Sequence, residues 1–479
     1  MGYTEFVKHL RYKSMYKENE LFWGLGIEEE TYFQFTKPLN VAAPIIKSAH
    51  MAERYSVPYY KTYKPSYRQA FEKLFPTDGP ERGFFQIPFL LNAHAFNKTD
   101  IRGNHKTTYQ VNPQPNPKFS GKTLYEELCN FLPSLPIYNC IRQPRFLNIF
   151  NKYCIFDGDS IEFVTQNFYK AKADCVIGEL VDAKRDLLNA INTFLIQRGL
   201  HTEKGHLMYP TVNHGFAVQY TNPKNICMFN NGTYHINITL PTMLGKADKK
   251  RLPCIENYAE FKEKHKKFIR FIQWLEPFIV GVYGTADPLS AVSPLYSKAS
   301  QRGAVSRYIG LCTYDTNAMT TGKIVTVPVK DIRGSDKPFW WYRVFHAESG
   351  YNELNELGMD ISFRKHYNHG VEIRFLDWFP ETMLKGLLEF YVRLGDLSLD
   401  SGLLMPGEAI MSEDYNNFLV GVLREGKAYV LPEKMVHIYE DLLGIPIRTI
   451  RPTVSRIYEI ISSQIMTKYK NGVCAKLML

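Results

Sequence analysis

The sequence has no apolar run long enough to span a membrane and no pair of cysteines in the CxxC spacing of zinc sites. Its eight cysteines are scattered, so they indicate neither a disulfide framework nor a zinc site. The N-terminal stretch MGYTEFVKHLRYKSMYKE is charged and lacks the apolar centre of a signal peptide. These absences predict a cytoplasmic protein with reduced thiols and no membrane partner.

The chain also lacks a long Lys/Arg run, an RNP-like aromatic motif and a Ser–His or Cys–His signature of nucleophilic catalysis. Its formal net charge is nevertheless +10. This charge is compatible with a nucleic-acid partner or with a site for ATP and other anions.

Internal repeats and low-complexity linkers are absent, so nothing divides the chain clearly. We therefore predict one domain over residues 1–479, with a long insertion at about 38–153 and a helical C-terminal part from about 406. The insertion is rich in Tyr, Pro and Lys, and it is a candidate for substrate selection or an ordinary decorated surface.

The stretch GLGIEEETYFQF, residues 24–35, is the most informative part of the chain and predicts a strand. Because successive side chains of a strand point to opposite faces, Glu28, Glu30 and Tyr32 share one face, and Ile27, Glu29, Thr31 and Phe33 share the other. Neighbouring carboxylates repel one another unless a cation lies over them, which indicates a divalent metal. A solvated strand face, or the acidic first turn of a helix, is the plainer alternative.

Three later stretches have the same alternation of apolar and polar positions, at residues 160–168, 231–242 and 370–380. Their polar positions include Glu162, His235, Asn237, Thr239, Glu372 and Arg374. Taken singly, Glu162 could be exposed, His235 could be a hydrogen-bonded core histidine, and Glu372 with Arg374 could be a surface ion pair.

Long amphipathic helices are predicted at residues 171–196, at about 255–279, and around the apolar positions from Leu384 to Leu394. If one sheet packs its apolar face on these helices, the polar faces of the four strands line a shared concave surface. Carboxylates with one imidazole suit Mg²⁺ or Mn²⁺ better than zinc, and Mg²⁺ held in this way usually carries nucleotide phosphates. Arg374 is then placed to neutralise a phosphate in transfer.

The four strands and one loop also resemble, in sequence and in order, motifs of a known family. GIEEE, IEFVT, GTYHINITL and VEIRF are similar to the acidic, His-bearing and Glu-x-Arg strands of the glutamate–cysteine ligase side of the glutamine synthetase-like carboxylate–amine ligases. SAVSPLYSKASQRGAVSRY resembles, more loosely, the arginine-bearing loop of that family.

The resemblance implies an α+β fold, with a curved, mainly antiparallel sheet, helices on its convex face, and ATP with Mg²⁺ (or Mn²⁺) on its concave face. It implies that the metal ligands are Glu28, Glu30, Glu162, His235 and Glu372. It also implies that Arg374 contacts the transferred phosphate, that Asn237 lies near the nucleotide phosphates, and that Arg302 and Arg307 bind phosphate or a substrate carboxylate.

The expected activity is the ATP-dependent joining of a carboxylate, with glutamate or a similar amino acid as the default, to an amine through an acyl phosphate. The sequence departs from the family in its long insertion and in having no identifiable residues for cysteine or another known amine. A phosphotransferase on the same sheet, a ligase for a protein- or nucleic-acid-linked amine, and a non-catalytic nucleic-acid-binding protein remain alternatives. A homo-oligomer is compatible with all of them.

Overall fold

A computed structural model describes residues 17–36, 90–91, 100–102, 106, 115–119, 121–131, 154–157, 160–213, 232–246, 255–286, 297–305, 320–321, 327–328, 361–363, 370–400 and 413–479. All four predicted strands fall mainly within these residues. Arg307 and most of the insertion predicted at about 38–153 lie outside them.

The described residues form eleven strands. They are β1 Leu21–Thr31, β2 Phe33–Phe35, β3 Leu90–Leu91, β4 Cys154–Asp157, β5 Ser160–Val164, β6 Leu207–Met208, β7 Thr233–Met243, β8 Thr320–Thr321, β9 Val327–Pro328, β10 Ile361–Phe363 and β11 Val371–Asp377. Six of them make one sheet in the order β10-β11-β7-β1-β5-β4, with every neighbouring pair antiparallel. β2, β3 and β6 form a small second sheet, and β8 pairs with β9.

Ten helices accompany the strands in the described part of the chain. They are α1 Leu124–Phe131, α2 Ala173–Gln197, α3 His201–Lys204, α4 Tyr258–Tyr283, α5 Gln301–Val305, α6 Leu384–Asp400, α7 Glu413–Glu425, α8 Glu433–Leu443, α9 Val454–Lys468 and α10 Val473–Met478. Short 3₁₀ turns cover Glu381–Met383 and Gly426–Ala428. The predicted α+β class and mainly antiparallel sheet are confirmed, as are the three long helices.

Apolar side chains on one face of the six-stranded sheet join it to the helices. Ile236 and Ile238 of β7 are fully buried beside Ile27 of β1 and Ile373 of β11. α2 packs on β1 and β5, α4 packs on β7 and β11, and α10 packs on β1 and β7. Because the strands alternate with period two, burying these apolar residues places the polar residues of the same strands together on the opposite face.

The strand predicted at 24–35 is two strands in the structure. β1 ends at Thr31 and pairs with β5 and β7, whereas β2 pairs with β3 and β6 in the second sheet. Tyr32 lies at the junction, so its predicted alternation with Glu28 and Glu30 within one strand stops there. No helix of the described residues combines the length and apolarity needed to cross a membrane.

Candidate metal centre

The register of the central strands brings the predicted residues together. Glu28 of β1 lies opposite His235 of β7, and Asn237 of β7 lies opposite Glu372 of β11. On the other side of β1, Glu30 lies opposite Glu162 of β5. Residues far apart in the chain therefore share one sheet surface, which we call the polar face: Glu28, Glu30, Glu162, His235, Asn237, Glu372 and Arg374.

His235 is the centre of this group. Its Nδ1 lies 3.4 Å from Glu28 Oε2 and 3.8 Å from Glu372 Oε1, and its Nε2 lies 3.6 Å from Glu30 Oε1. Ligand atoms of Glu28, His235 and Glu372 all lie within 4.8 Å of one another. Two carboxylates and one imidazole at this separation suit a divalent cation such as Mg²⁺ or Mn²⁺.

The cluster is buried rather than open. Glu30, His235 and Glu372 are each 1% exposed, and Glu28 is 4% exposed. Ionised carboxylates lose hydration free energy in such a place unless cations and hydrogen-bond donors compensate. Asn237 Nδ2 donates to Glu28 Oε1 at 3.1 Å, and Arg374 Nη1 donates to Glu372 Oε1 at 3.0 Å.

His235 is held in the neutral form that a metal ligand needs. Burial, followed by the positive charges of Arg374 and Arg302, lowers its pKa to about 3, against the opposing effects of the hydrogen bond that Glu28 accepts and of the charge of Glu372. Among the described atoms, His235 Nε2 and Asn237 Oδ1 are buried and have no hydrogen-bond partner. Since unpaired buried polar atoms are costly, a bound ligand would satisfy both.

Glu162 lies at the margin of the cluster. Its Cα is paired with that of Glu30, and its side chain is 7% exposed. It is not among the three residues whose ligand atoms converge. The register therefore places Glu162 next to Glu30 and outside the three converging residues.

Arg302 reaches the same region from α5. Its side chain is 3% exposed, and its positive charge lowers the pKa of His235. Its backbone N donates a hydrogen bond to Asp377 Oδ1 at 2.9 Å. Arg374 and Arg302 thus bring two positive charges to the cluster. Arg307, predicted alongside Arg302, lies outside the described residues.

Sequence reasoning did not find Asp377, at the end of β11. Burial raises the pKa of this carboxyl to about 6, against hydrogen bonds from Arg302, Ser300 and Thr285. The sequence did hold a signal for this residue, since an aspartate directly follows Phe375 and Leu376 at the end of the strand. Strands are depleted in aspartate, so one at this position indicates a specific role.

Lys184 was also missed, although Glu29 offered a signal for it. Glu29 was predicted on the apolar face of β1, where a carboxylate requires a cation, and it is fully buried there. Lys184 Nζ of α2 lies 2.6 and 2.8 Å from its two carboxylate oxygens and also pairs with Glu381. Burial raises the pKa of Glu29, and the charge of Lys184 opposes that rise.

Phe168 closes one end of the polar face. Its ring lies against Gly24 and Gly26, where an added Cβ would come within 2.1 Å and 2.8 Å of the ring. Leu25 N donates to Phe168 O at 3.0 Å, which fixes this segment along β1. The two glycines therefore let an aromatic ring rest on the strand next to Asn237, which is paired with Gly26.

The fold and the site define an α+β protein in which a buried carboxylate–imidazole cluster lies on the polar face of an antiparallel sheet. Comparison with the models of known protein families finds no match. The chain is 34% identical over 476 residues to "Uncharacterized protein R704" of Acanthamoeba polyphaga mimivirus, an alignment that covers 98% of this chain and 79% of that protein. The chain belongs to the same family as this viral protein.

Proposed function

We propose that the protein is an ATP- and Mg²⁺-dependent carboxylate–amine ligase of the glutamine synthetase-like type, similar to the glutamate–cysteine ligases. The observation that carries the proposal is the buried convergence of Glu28, His235 and Glu372, with Arg374 bonded to Glu372. The antiparallel sheet with helices on its apolar face is compatible with that fold type.

Glu28, His235 and Glu372 would hold one metal ion, and Glu30 with Glu162 would hold a second. The donor set fits Mg²⁺ or Mn²⁺, because it is rich in carboxylate oxygen and contains no thiolate. Bound metal would supply neutralisation of phosphate charge during transfer.

The reaction would transfer the γ-phosphoryl group of ATP to a substrate carboxylate, and an amine would then displace phosphate. Arg374 and Arg302 would bind phosphate oxygens, since guanidinium groups match their geometry. Asn237 would hold the carboxylate of Glu28 in place and offer its free Oδ1 to a ligand. Chemistry of this kind needs charge neutralisation and positioning rather than a nucleophilic side chain.

Glutamate, or a similar amino acid, is the acid that the resemblance favours. The amine is a small molecule or an amine carried by a protein or nucleic acid. A cytoplasmic location, and assembly into a homo-oligomer, belong to the proposal and are compatible with the basic net charge of +10.

The test is calorimetry of ATP binding, with and without Mg²⁺, followed by an amino-acid screen for ADP release. We expect Mg²⁺-dependent binding that Glu372→Gln and Arg374→Met each abolish. Glu389→Gln is the matched control, because it breaks another Glu–Arg pair, in which Arg393 Nη1 lies 3.2 Å from Glu389 Oε2 on α6, away from the site.

Unchanged ADP release in Glu372→Gln would overturn the proposal. ADP release with a phosphorylated product and no amide would identify a phosphotransferase instead. Salt-sensitive nucleic-acid binding without any Mg²⁺-dependent ATP binding would identify a binding protein.

A further inference from the structure

We propose that Asp377 is a positioning residue that holds Arg302 beside the metal cluster and thereby sets the affinity of the site for phosphate groups. This inference rests on the proposed function, because it assigns phosphate binding to Arg302. Asp377 itself would touch neither metal nor substrate.

The contacts of Asp377 join three segments of the chain. It lies at the end of β11, the strand that carries Glu372 and Arg374. Its Oδ1 accepts a hydrogen bond from Arg302 N at 2.9 Å, and its Oδ2 accepts one from Thr285 N at 3.1 Å. One buried carboxylate thus ties the start of α5 and the segment after α4 to the strand of the cluster.

Neighbouring polar contacts make the segment of Arg302 rigid. Ser297 Oγ accepts hydrogen bonds from Ala299 N at 3.1 Å and Ser300 N at 2.9 Å, and it donates to Leu423 O at 2.8 Å. Gln301 Nε2 donates to Asn213 O at 2.7 Å. The segment is therefore fixed to the helical layer, and Asp377 fixes it to the sheet.

The charge of Arg302 supports a role in binding an anion. The guanidinium is close enough to His235 to lower the pKa of that imidazole, so it would repel a metal ion bound there and lower metal affinity when no anion is present. The side chain is 3% exposed, and an anion that contacted the metal and the guanidinium together would offset this repulsion. Holding the guanidinium in place before binding removes an ordering cost from that step.

The chain offers a matched control for a purely structural effect. Asp396 on α6 is 4% exposed and also accepts two backbone N–H hydrogen bonds, from Cys474 at 2.7 Å and Ala475 at 3.0 Å. Asp396→Asn removes the same kind of acceptor in the helical layer without contacting the segment of Arg302.

The experiment compares Asp377→Asn, Arg302→Met, their double variant and Asp396→Asn with wild type at pH 7.5. Calorimetry measures the Kd of ATP with Mg²⁺ and, separately, the Kd of Mn²⁺ alone. We expect Asp377→Asn and Arg302→Met each to raise the ATP Kd about tenfold, and the double variant to resemble Arg302→Met because the two act in series. Neither should weaken Mn²⁺ binding, and Asp396→Asn should leave both constants unchanged.

Hydrogen exchange over residues 297–305 gives a readout that does not depend on ligand. Asp377→Asn should speed exchange there, and Asp396→Asn should not. Additive losses of ATP affinity, equal losses for ATP and Mn²⁺, or unchanged exchange would each overturn the inference. Failure of the proposed function would look different, because wild type itself would then bind no ATP.

Discussion

The three consecutive glutamates of β1 occupy different chemical environments although they are neighbours in the chain. Glu29 on the apolar face is neutralised by Lys184, at 2.6 Å. Glu28 on the polar face meets the imidazole of His235 and the amide of Asn237 instead. The ion pair with Lys184 neutralises Glu29 within the fold, as a structural carboxylate requires. The imidazole and amide beside Glu28 are neutral, so Glu28 keeps the negative charge needed to bind a cation reversibly.

Removing Lys184 should destabilise the fold strongly. Lys184→Met leaves Glu29 buried without its cation, so we expect a loss of about 3–5 kcal/mol in the free energy of unfolding. Urea denaturation measures it. Glu29→Gln in the same chain should restore part of the loss, because the buried charge is then gone.

The surface pair of Lys385 with Asp174 supplies the control for this prediction. Lys385 Nζ lies 3.0 Å from Asp174 Oδ1, but the side chains of Lys385 and Asp174 are 58% and 69% exposed. Lys385→Met should leave stability unchanged within error, because exposed pairs are well hydrated. Equal effects of the two substitutions would show that burial does not strengthen the Lys184 pair.

A methyl group at Gly24 should displace Phe168 from the polar face. The added Cβ would lie 2.1 Å from Phe168 Cε1, so Gly24→Ala should cost about 1–3 kcal/mol by overpacking. Adding Phe168→Ala should relieve the overlap, although it opens a cavity of its own. Gly178→Ala in α2, which has no atom within 4 Å of an added Cβ, should instead stabilise by about 0.5–1 kcal/mol.

Among the elements, β7 and α4 are joined by a histidine that the sequence pattern did not single out. The pairing of β11 with β7 begins at Val371, which lies opposite Ile238. Leu240 of β7 lies beyond that point, so its backbone N–H has no partner on β11. His265 Nε2 of α4 accepts the hydrogen bond from Leu240 N at 3.0 Å, and its Nδ1 lies 2.7 Å from Phe261 O. The ring must therefore be neutral, with its proton on Nδ1.

This joint should make stability depend on pH. Burial lowers the pKa of His265 to about 4, whereas an unfolded histidine titrates near 6.5. Between these values the unfolded chain binds the proton and the folded chain does not, so stability falls as pH falls from about 6.5 to 4, by up to about 1.4 kcal/mol per pH unit.

Comparison with His265→Gln isolates this effect. Buried His235, whose pKa is also lowered, adds to the loss of stability as pH falls. Asp377, whose pKa is raised by burial, opposes that loss below pH 6. The dependence of wild-type stability on pH is therefore the sum of several groups. Urea unfolding at pH 7, 6 and 5 should give a wild-type slope steeper than that of His265→Gln. Identical slopes would contradict the neutral, hydrogen-bonded assignment of His265.

Across the whole molecule, the six-stranded sheet gathers like charge in one place. Its order places β11, β7, β1 and β5 side by side, so the carboxylates of β11, β1 and β5 meet with the imidazole of β7 on the polar face. Such a fold carries repulsion that a bound cation relieves, which connects metal binding to global stability.

Divalent metal should therefore raise the melting temperature of the protein. At a free Mn²⁺ concentration a hundredfold above its Kd, the expected gain is about 2.7 kcal/mol in the free energy of unfolding. Calorimetric scans with Mn²⁺ and with EDTA measure it. Glu28→Gln should lose most of the gain while Glu389→Gln keeps it, and an equal gain in both would mean that Mn²⁺ binds elsewhere.

The α+β class, the long helices and the alternation of the four strands were determined by the sequence alone. Hydrophobic periodicity is a local property, and burial of the apolar face forces His235 and Asn237 to the opposite side. The four acidic and histidine-bearing strands were predicted within a few residues of their observed ends.

Tertiary structure decided everything that depends on which strands are neighbours. The order β10-β11-β7-β1-β5-β4 is what brings Glu28 and Glu372 to the two sides of His235. The pairs of Lys184 with Glu29 and of Asp377 with the backbone of Arg302 join residues separated by 155 and 75 positions, so no local pattern encodes them. Such contacts arise only when packing removes water from charged groups and requires each one to find a partner.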